Sequence, residues 1–195
     1  MKRILALLLM VLLLAGCAEA GGPEDTTLPP MTDLPTSFKG LGEKMPEMTV
    51  NTADGRALKL TEILKEKELV VLNFWFEDCP WCVKEFPVLE LAYQNHREDV
   101  EILALNPADG AEDVKAFQDK YSLTFPMVAC PRSWATECGV SAYPTSVFID
   151  RDGVVCLIHV GAITTAYTWE KVFAAFTGDD YQRRIYTSVE QILTK

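Results

Sequence analysis

From about residue 47 onward, short apolar runs alternate with longer stretches in which apolar residues recur every three or four positions. The first pattern predicts strands and the second amphipathic helices. Leu69-Val70-Val71-Leu72-Asn73-Phe74-Trp75-Phe76 is the strongest run, rich in β-branched and aromatic residues, and reads as a buried strand. A helix pattern follows through Cys82, Val83, Phe86, Leu89 and Tyr93, with Pro87 expected to bend it. Val100 to Asn106 is a second apolar strand, and Glu112 to Tyr121 a helix with Val114, Phe117 and Tyr121 on one face. Phe125 to Ala129 reads as a short strand and Ser133 to Cys138 as a short helix. Two strands, Thr145 to Asp150 and Val154 to Val160, meet at the hairpin signal Arg151-Asp152-Gly153. Upstream, Glu47 to Val50 and Ala57 to Leu60 flank Ala53-Asp54-Gly55 as a further hairpin. Thr61 and Thr168 are the expected caps of helices over 62–67 and 169–176, and a last helix is expected from Tyr181 to Leu193. The order β-β-α-β-α-β-α-β-α-β-β-α-α implies an α/β fold, a mixed central sheet with helices on both faces.

The start of the chain follows other rules. Met1-Lys2-Arg3 is basic, and the apolar run Ile4 to Leu14 is too short to span comfortably as a mature helix. Leu14-Ala15-Gly16-Cys17 resembles a bacterial lipobox, in which cleavage before Cys17 exposes a cysteine that receives acyl chains. Gly, Pro, Thr, Asp and Glu dominate the next twenty residues, a composition with little to bury. The expected segments are a signal peptide over 1–16, the lipidated cysteine with a tether over 17–37, a folded domain over 38–178 and a C-terminal helix over 179–195. Without Lys2 and Arg3 the chain carries 16 basic and 28 acidic side chains, a net of −12. That balance excludes nucleic acid and a polybasic lipid-binding surface. Localisation is expected to be extracytoplasmic, anchored to a bacterial membrane through Cys17, where disulfides persist.

Candidate chemistry centres on Cys79-Pro80-Trp81-Cys82. Pro80 suits the first helical position, which makes Cys79 the N-cap and sets Cys82 one turn on. A sulfur at the N-cap faces free backbone N–H groups and the positive end of the helix dipole. Both favour thiolate, the nucleophile of disulfide exchange. Zinc normally needs a second ligand pair, and no other CxxC or HxxxH is present; His96 and His159 stand apart. A structural disulfide is the other reading, though loops this tight are usually redox-active. Cys130 and Cys138 are expected to form a disulfide stapling a loop, weighed against two free thiols; a second redox pair is a sharper alternative. Cys156 alternates with Ile158 and Val160 and reads as a buried inert thiol.

Six ordered landmarks over Gly42 to Phe176 resemble the thioredoxin superfamily, specifically its extracytoplasmic TlpA/ResA-type thiol–disulfide oxidoreductases. They are Leu72-Asn73-Phe74-Trp75; Cys79-x-x-Cys82-x-x-Glu85-x-Pro87-x-Leu89; Leu123-Thr124-Phe125-Pro126; Gly139-Val140-Ser141-Ala142-Tyr143-Pro144-Thr145; Phe148-Ile149-Asp150-Arg151-Asp152-Gly153; and Val160-Gly161-Ala162-Ile163. The resemblance implies a thioredoxin fold with an N-terminal hairpin and a central strand–helix insertion.

It also implies a division of labour. Cys79, the exposed cysteine, attacks a substrate disulfide, and Cys82 resolves the mixed disulfide. Pro144, with a cis peptide bond, lies against the sulfurs, while the Tyr143 backbone pairs with an extended substrate. Trp81 and Pro80 belong to the docking surface. Thioredoxins proper keep a buried acid where this chain has Asn73, so Glu85 becomes the candidate acid/base, against a plain surface or capping carboxylate. Glu77 and Asp78, just before Cys79, are expected to raise its thiol pKa. No metal is implied, and no cofactor beyond the Cys79–Cys82 disulfide. The implied partners are protein disulfides, apocytochrome c among them, a membrane thiol electron donor and the membrane itself. Other possible roles are a reductant for an extracytoplasmic peroxidase or methionine sulfoxide reductase, an oxidase that introduces disulfides, and a redox-switched binding or sensing lipoprotein.

Overall fold

A computed structural model describes residues 40–194. The expected signal peptide, the tether and Cys17 lie outside the described residues.

Strand β3 (Leu69–Phe74) is the axis of the domain, with all six residues buried. It pairs in parallel with β4 (Val100–Asn106), which pairs in parallel with β5 (Met127–Ala129). On its other side β3 pairs antiparallel with β6 (Thr145–Asp150), itself antiparallel to β7 (Val155–Val160). The five-stranded order is therefore β5-β4-β3-β6-β7. A separate hairpin, β1 (Thr49–Asn51) and β2 (Ala57–Lys59), precedes it.

This register decides where the chemistry sits. Phe74, the last residue of β3, lies between Leu105 near the end of β4 and Thr145 at the start of β6. The turn leaving β3 toward Cys79 and the Tyr143-Pro144 segment entering β6 therefore meet at one end of the central strands.

Because side chains alternate along a strand, a doubly covered sheet builds two cores. Leu69 and Val71 face α2 (Pro80–His96), α3 (Ala111–Tyr121) and α5 (Ala166–Ala174). Val70, Leu72 and Phe74 face α1 (Leu60–Glu66), α4 (Arg132–Glu137) and the hairpin. Fully burying a Val or Leu side chain contributes roughly 1.5–3 kcal/mol, so β3 anchors both layers at once. The element order agrees with the expected one throughout. Among the described residues, no helix is long and apolar enough to cross a membrane.

Three local expectations are corrected. Thr61 lies inside α1 rather than capping it, and Lys59 at the N-cap makes no side-chain cap bond. Glu47 accepts from the N–H groups of Thr61 (3.3 Å) and Met48 (3.1 Å), reaching the helix end from the hairpin. At α5 the cap is Thr165, whose Oγ1 accepts from the N–H of Thr168 (3.2 Å).

The helix expected over Tyr181 to Leu193 is confined to α6 (Glu190–Leu193). Its upstream half is held by partners far away in sequence. The Tyr181 hydroxyl and Arg183 Nε donate to Asp150 Oδ2 at 3.0 and 2.6 Å, and the Tyr186 N–H donates to the Cys156 carbonyl at 2.9 Å. Asp150 is fully buried, and its Oδ1 accepts from the N–H groups of Asp152 and Val154. A buried carboxylate without such donors would be strongly destabilising. The tail is thus tied to the β6–β7 turn and runs beside β7.

Candidate active site

Cys79 is the N-cap of α2 and Pro80 its first helical residue. The backbone of Cys79 is extended (φ −85°, ψ 104°), and its Sγ accepts from the Cys82 N–H at 3.2 Å. Its own N–H donates to the Phe76 carbonyl at 3.1 Å, which closes the turn from β3. Cys79 and Cys82 are joined as a disulfide, with Cα atoms 5.3 Å apart. The sulfur expected to be exposed is covered: Cys79 is 3% accessible and Cys82 is fully buried. In this oxidised state the bond to Cys82 and the Cys82 N–H hold Cys79 Sγ against the helix end.

Around the disulfide, Pro80 and Trp81 are exposed, Trp81 at 57%, with Lys84 Nζ 4.9 Å from the indole centroid. Trp75, by contrast, is fully buried and packs edge-on against Phe86. The Tyr143–Pro144 peptide bond is cis. The Pro144 carbonyl accepts from the Gly161 N–H (2.9 Å), and Thr145 Oγ1 donates to the Ala142 carbonyl (2.8 Å). Tyr143 packs against both cores and meets the Phe76 ring perpendicularly at 5.3 Å. The structure thus gathers Cys79, Cys82, Trp81, Tyr143 and Pro144 at one end of the central strands.

Glu85 is fully buried, which removes the reading of it as a surface or capping carboxylate. Its Oε2 accepts from Asn73 Nδ2 (3.0 Å) and its Oε1 from the Ile163 N–H (2.8 Å). Burial pushes the carboxyl up to about 7; the Ile163 N–H and the Asn73 amide, which favour the charged form, pull it part of the way back. Asn73 Nδ2 also donates to Ser146 Oγ (3.0 Å), its register partner across β3 and β6. Ser146 and Ile163 were not among the residues expected at the site. One signal pointed to the cluster: Asn73 is the only polar residue in an otherwise apolar strand, and a buried polar group needs partners.

Cys130 and Cys138 do not join the site as a bonded pair; both are free thiols. Cys130 precedes the N-cap Pro131 of the six-residue helix α4, and Cys138 is its C-cap. Burial pushes both thiols up to about 12, with the Cys138 charge adding to the effect at Cys130 and the Glu137 charge to that at Cys138. Cys156 is buried, its Sγ donating to the Phe148 carbonyl at 3.3 Å, and burial raises its pKa.

Residues 41–158 match the AhpC/TSA family. The thioredoxin-like protein YneN of Bacillus subtilis (strain 168) is 32% identical over 126 residues, covering 63% of this chain and 73% of that protein. The thiol-disulfide oxidoreductase ResA of Halalkalibacterium halodurans is 32% identical over 130 residues, with 66% and 73% covered. ResA of Bacillus anthracis is 36% identical over 126 residues, with 64% and 72% covered. Among solved structures, a putative thiol:disulfide interchange protein DsbE from Chlorobium tepidum superposes with a TM-score of 0.60 at 27% identity, covering 70% of this chain and 98% of the other. StoA from Bacillus subtilis shares the fold, with a TM-score of 0.56 at 24% identity and 65% and 95% covered. A family match over residues 41–158, a CxxC disulfide at a helix N-terminus on a matching sheet, and relatives of this kind place the chain in the AhpC/TSA family as a thioredoxin-fold thiol–disulfide oxidoreductase.

Proposed function

We propose that this oxidoreductase works as a disulfide reductase on the outer side of a bacterial membrane, held there by acyl chains on Cys17. Its substrate is a protein disulfide, with apocytochrome c the leading candidate, and a membrane thiol carrier supplies the electrons. The observation that carries the reading is the Cys79–Cys82 disulfide at the N-cap of α2, with Glu85 buried one turn further on the same helix.

In the reduced enzyme the Cys79 thiolate attacks one sulfur of the substrate disulfide. A Cys79–substrate bond forms, and the other substrate sulfur leaves as thiolate. Cys82 then gives up its proton and attacks Cys79 Sγ, releasing the second substrate thiolate and closing the Cys79–Cys82 disulfide. Two electrons have moved from enzyme to substrate. Glu85 in its carboxylate form takes the Cys82 proton, a role suited to a carboxyl that titrates near neutrality. The donor dithiol resets the pair by the same exchange in reverse. Tyr143 and Trp81 hold the substrate segment beside the sulfurs.

A Cys82→Ser variant tests the assignment by stopping the cycle at the mixed disulfide. Captured proteins carrying CxxCH segments support the cytochrome reading; captured proteins without them overturn it. The reduction potential of the Cys79–Cys82 pair tests the direction, because a value as high as those of periplasmic oxidases would reverse it. Partition of the wild-type protein into membranes, and of Cys17→Ala into the soluble fraction, tests the anchor.

A further inference from the structure

Asn73 makes hydrogen bonds at one end of its amide only. Nδ2 donates to Glu85 Oε2 and Ser146 Oγ, each at 3.0 Å, while Oδ1 is buried without a partner among the described residues. An orphaned buried acceptor is destabilising and calls for an explanation. The arrangement also has an uncommon symmetry. Both neighbours at the bonded end can change hydrogen-bond sense: a carboxylate accepts and a carboxylic acid donates, and a hydroxyl rotates to do either.

We propose that Asn73 is a positioning residue that lets Glu85 take up and release a proton without moving. Its amide presents two N–H groups to the carboxylate and the Ser146 hydroxyl, and after half a turn about χ2 it presents the two lone pairs of Oδ1 to the carboxylic acid and the same hydroxyl. The side-chain amide fits both states because it carries two donors at one end and two acceptor sites at the other. The turn is allowed because χ2 of asparagine is broad and roughly two-fold, and because no bond at Oδ1 has to break. Ile163 keeps its N–H on Glu85 Oε1 in both states, so the carboxyl stays anchored while the proton exchanges at Oε2.

No other charge intrudes. Glu85 bonds to Asn73 of β3 and to the Ile163 N–H in the loop after β7, with Cys82 one turn earlier on its own helix; Ser146 of β6 is linked through Asn73. No Lys, Arg, His, Asp or second Glu contributes to its shift, which comes from burial and these hydrogen bonds. In the acid state the unpartnered end is an NH2 with two donors, a costlier orphan than one oxygen. The network therefore pulls the titration of Glu85 down from where burial alone would put it.

The inference rests on the reductase reading only for its use in turnover, so the test begins with the oxidised full-length protein, which needs no substrate. Nuclear magnetic resonance should show the Glu85 carboxyl carbon and the Asn73 side-chain amide titrating with one midpoint. Contacts from the Asn73 NH2 protons to the Ser146 β-protons should be present above that midpoint and lost below it. An amide that keeps those contacts at both extremes, or fails to shift with the carboxyl, overturns the proposal and leaves the reductase reading intact. In Asn73→Leu the carboxylate loses a charge-assisted hydrogen bond, so the Glu85 midpoint should rise, and the pH at half-maximal disulfide exchange should rise with it. Ser146→Ala, which removes a neutral hydrogen bond from both states, should leave the midpoint closer to wild type than Asn73→Leu does. Activity reduced equally at all pH values, with the Glu85 midpoint unmoved, would mean that Asn73 is only a packing residue. A coupled titration in a protein that exchanges no disulfides would instead refute the reductase reading while the network stands.

Discussion

Each face of the sheet holds a pair of cysteines close in sequence, and only one pair is bonded. On the α2 face, Cys79 and Cys82 lie within one turn of a helix that begins at the first sulfur, close enough to bond. On the α4 face, Cys130 and Cys138 stand at opposite ends of a six-residue helix, and burial holds both thiols protonated. The environments differ in the same sense. The first pair has a buried carboxyl a turn away and an exposed tryptophan beside it; the second has the fully buried Trp134 and an apolar layer. The α2-side core holds Cys79, Cys82 and Cys156 and the α4-side core holds Cys138 with Cys130 at its margin, so what sets the bonded pair apart is the position of its sulfurs on a helix.

The sharpest way to break that comparison is by substitution. Cys79→Ser should lower insulin reduction by at least ~10³-fold, whereas Cys130→Ser and Cys138→Ser should each stay within about twofold of wild type. A large loss in either of the latter would move the chemistry to both faces. Next in size is the tryptophan contrast. Trp134→Ala should destabilise the fold by about 3–5 kcal/mol in urea unfolding, because it empties a closed core site. A smaller but distinctive effect is expected of Glu85. Its carboxyl titrates at about 7 when folded, above the ordinary 4.5, so between these values the folded state holds the extra proton. Stability should therefore fall as pH rises from about 5 to about 8, by on the order of 3 kcal/mol, the reverse of a salt-bridged carboxylate. Glu85→Gln should flatten that slope, and an unchanged slope would assign it to other groups. The smallest effect belongs to the exposed indole: Trp81→Ala should raise KM for a protein substrate a few-fold with kcat and urea midpoint unchanged.

Much of this organisation was legible before the structure because it is local. A strand-length run interrupted only by Asn73, a proline placed for a first helical turn and an Asp-Gly hairpin each predict their element from neighbouring residues. What was not legible depends on distant partners. Thr165 and Thr168 are equally good caps by composition, and in the structure the Thr165 hydroxyl takes the Thr168 N–H. Tyr186, Val189 and Ile192 have helical spacing and are buried, yet Tyr181 and Arg183 are drawn to Asp150, about thirty residues back, and the helix shrinks to its last turn. Glu85 is the clearest case. A charge in a helix pattern reads equally as surface or core until Asn73, 12 residues away, and Ile163, 78 away, are known to converge on it.

The tail tied to Asp150 has a consequence beyond stability. Beside β7, the Tyr186 N–H takes the Cys156 carbonyl, and residues 42–45 bond to Val155 and Gly153, while at the other border β5 is only three residues long. The sheet thus offers no long bare edge among the described residues for another chain to extend. A long bare strand is a ready template for pairing with strand-prone segments of other chains. The bonds along the start of β7 and the shortness of β5 reduce that liability at both borders.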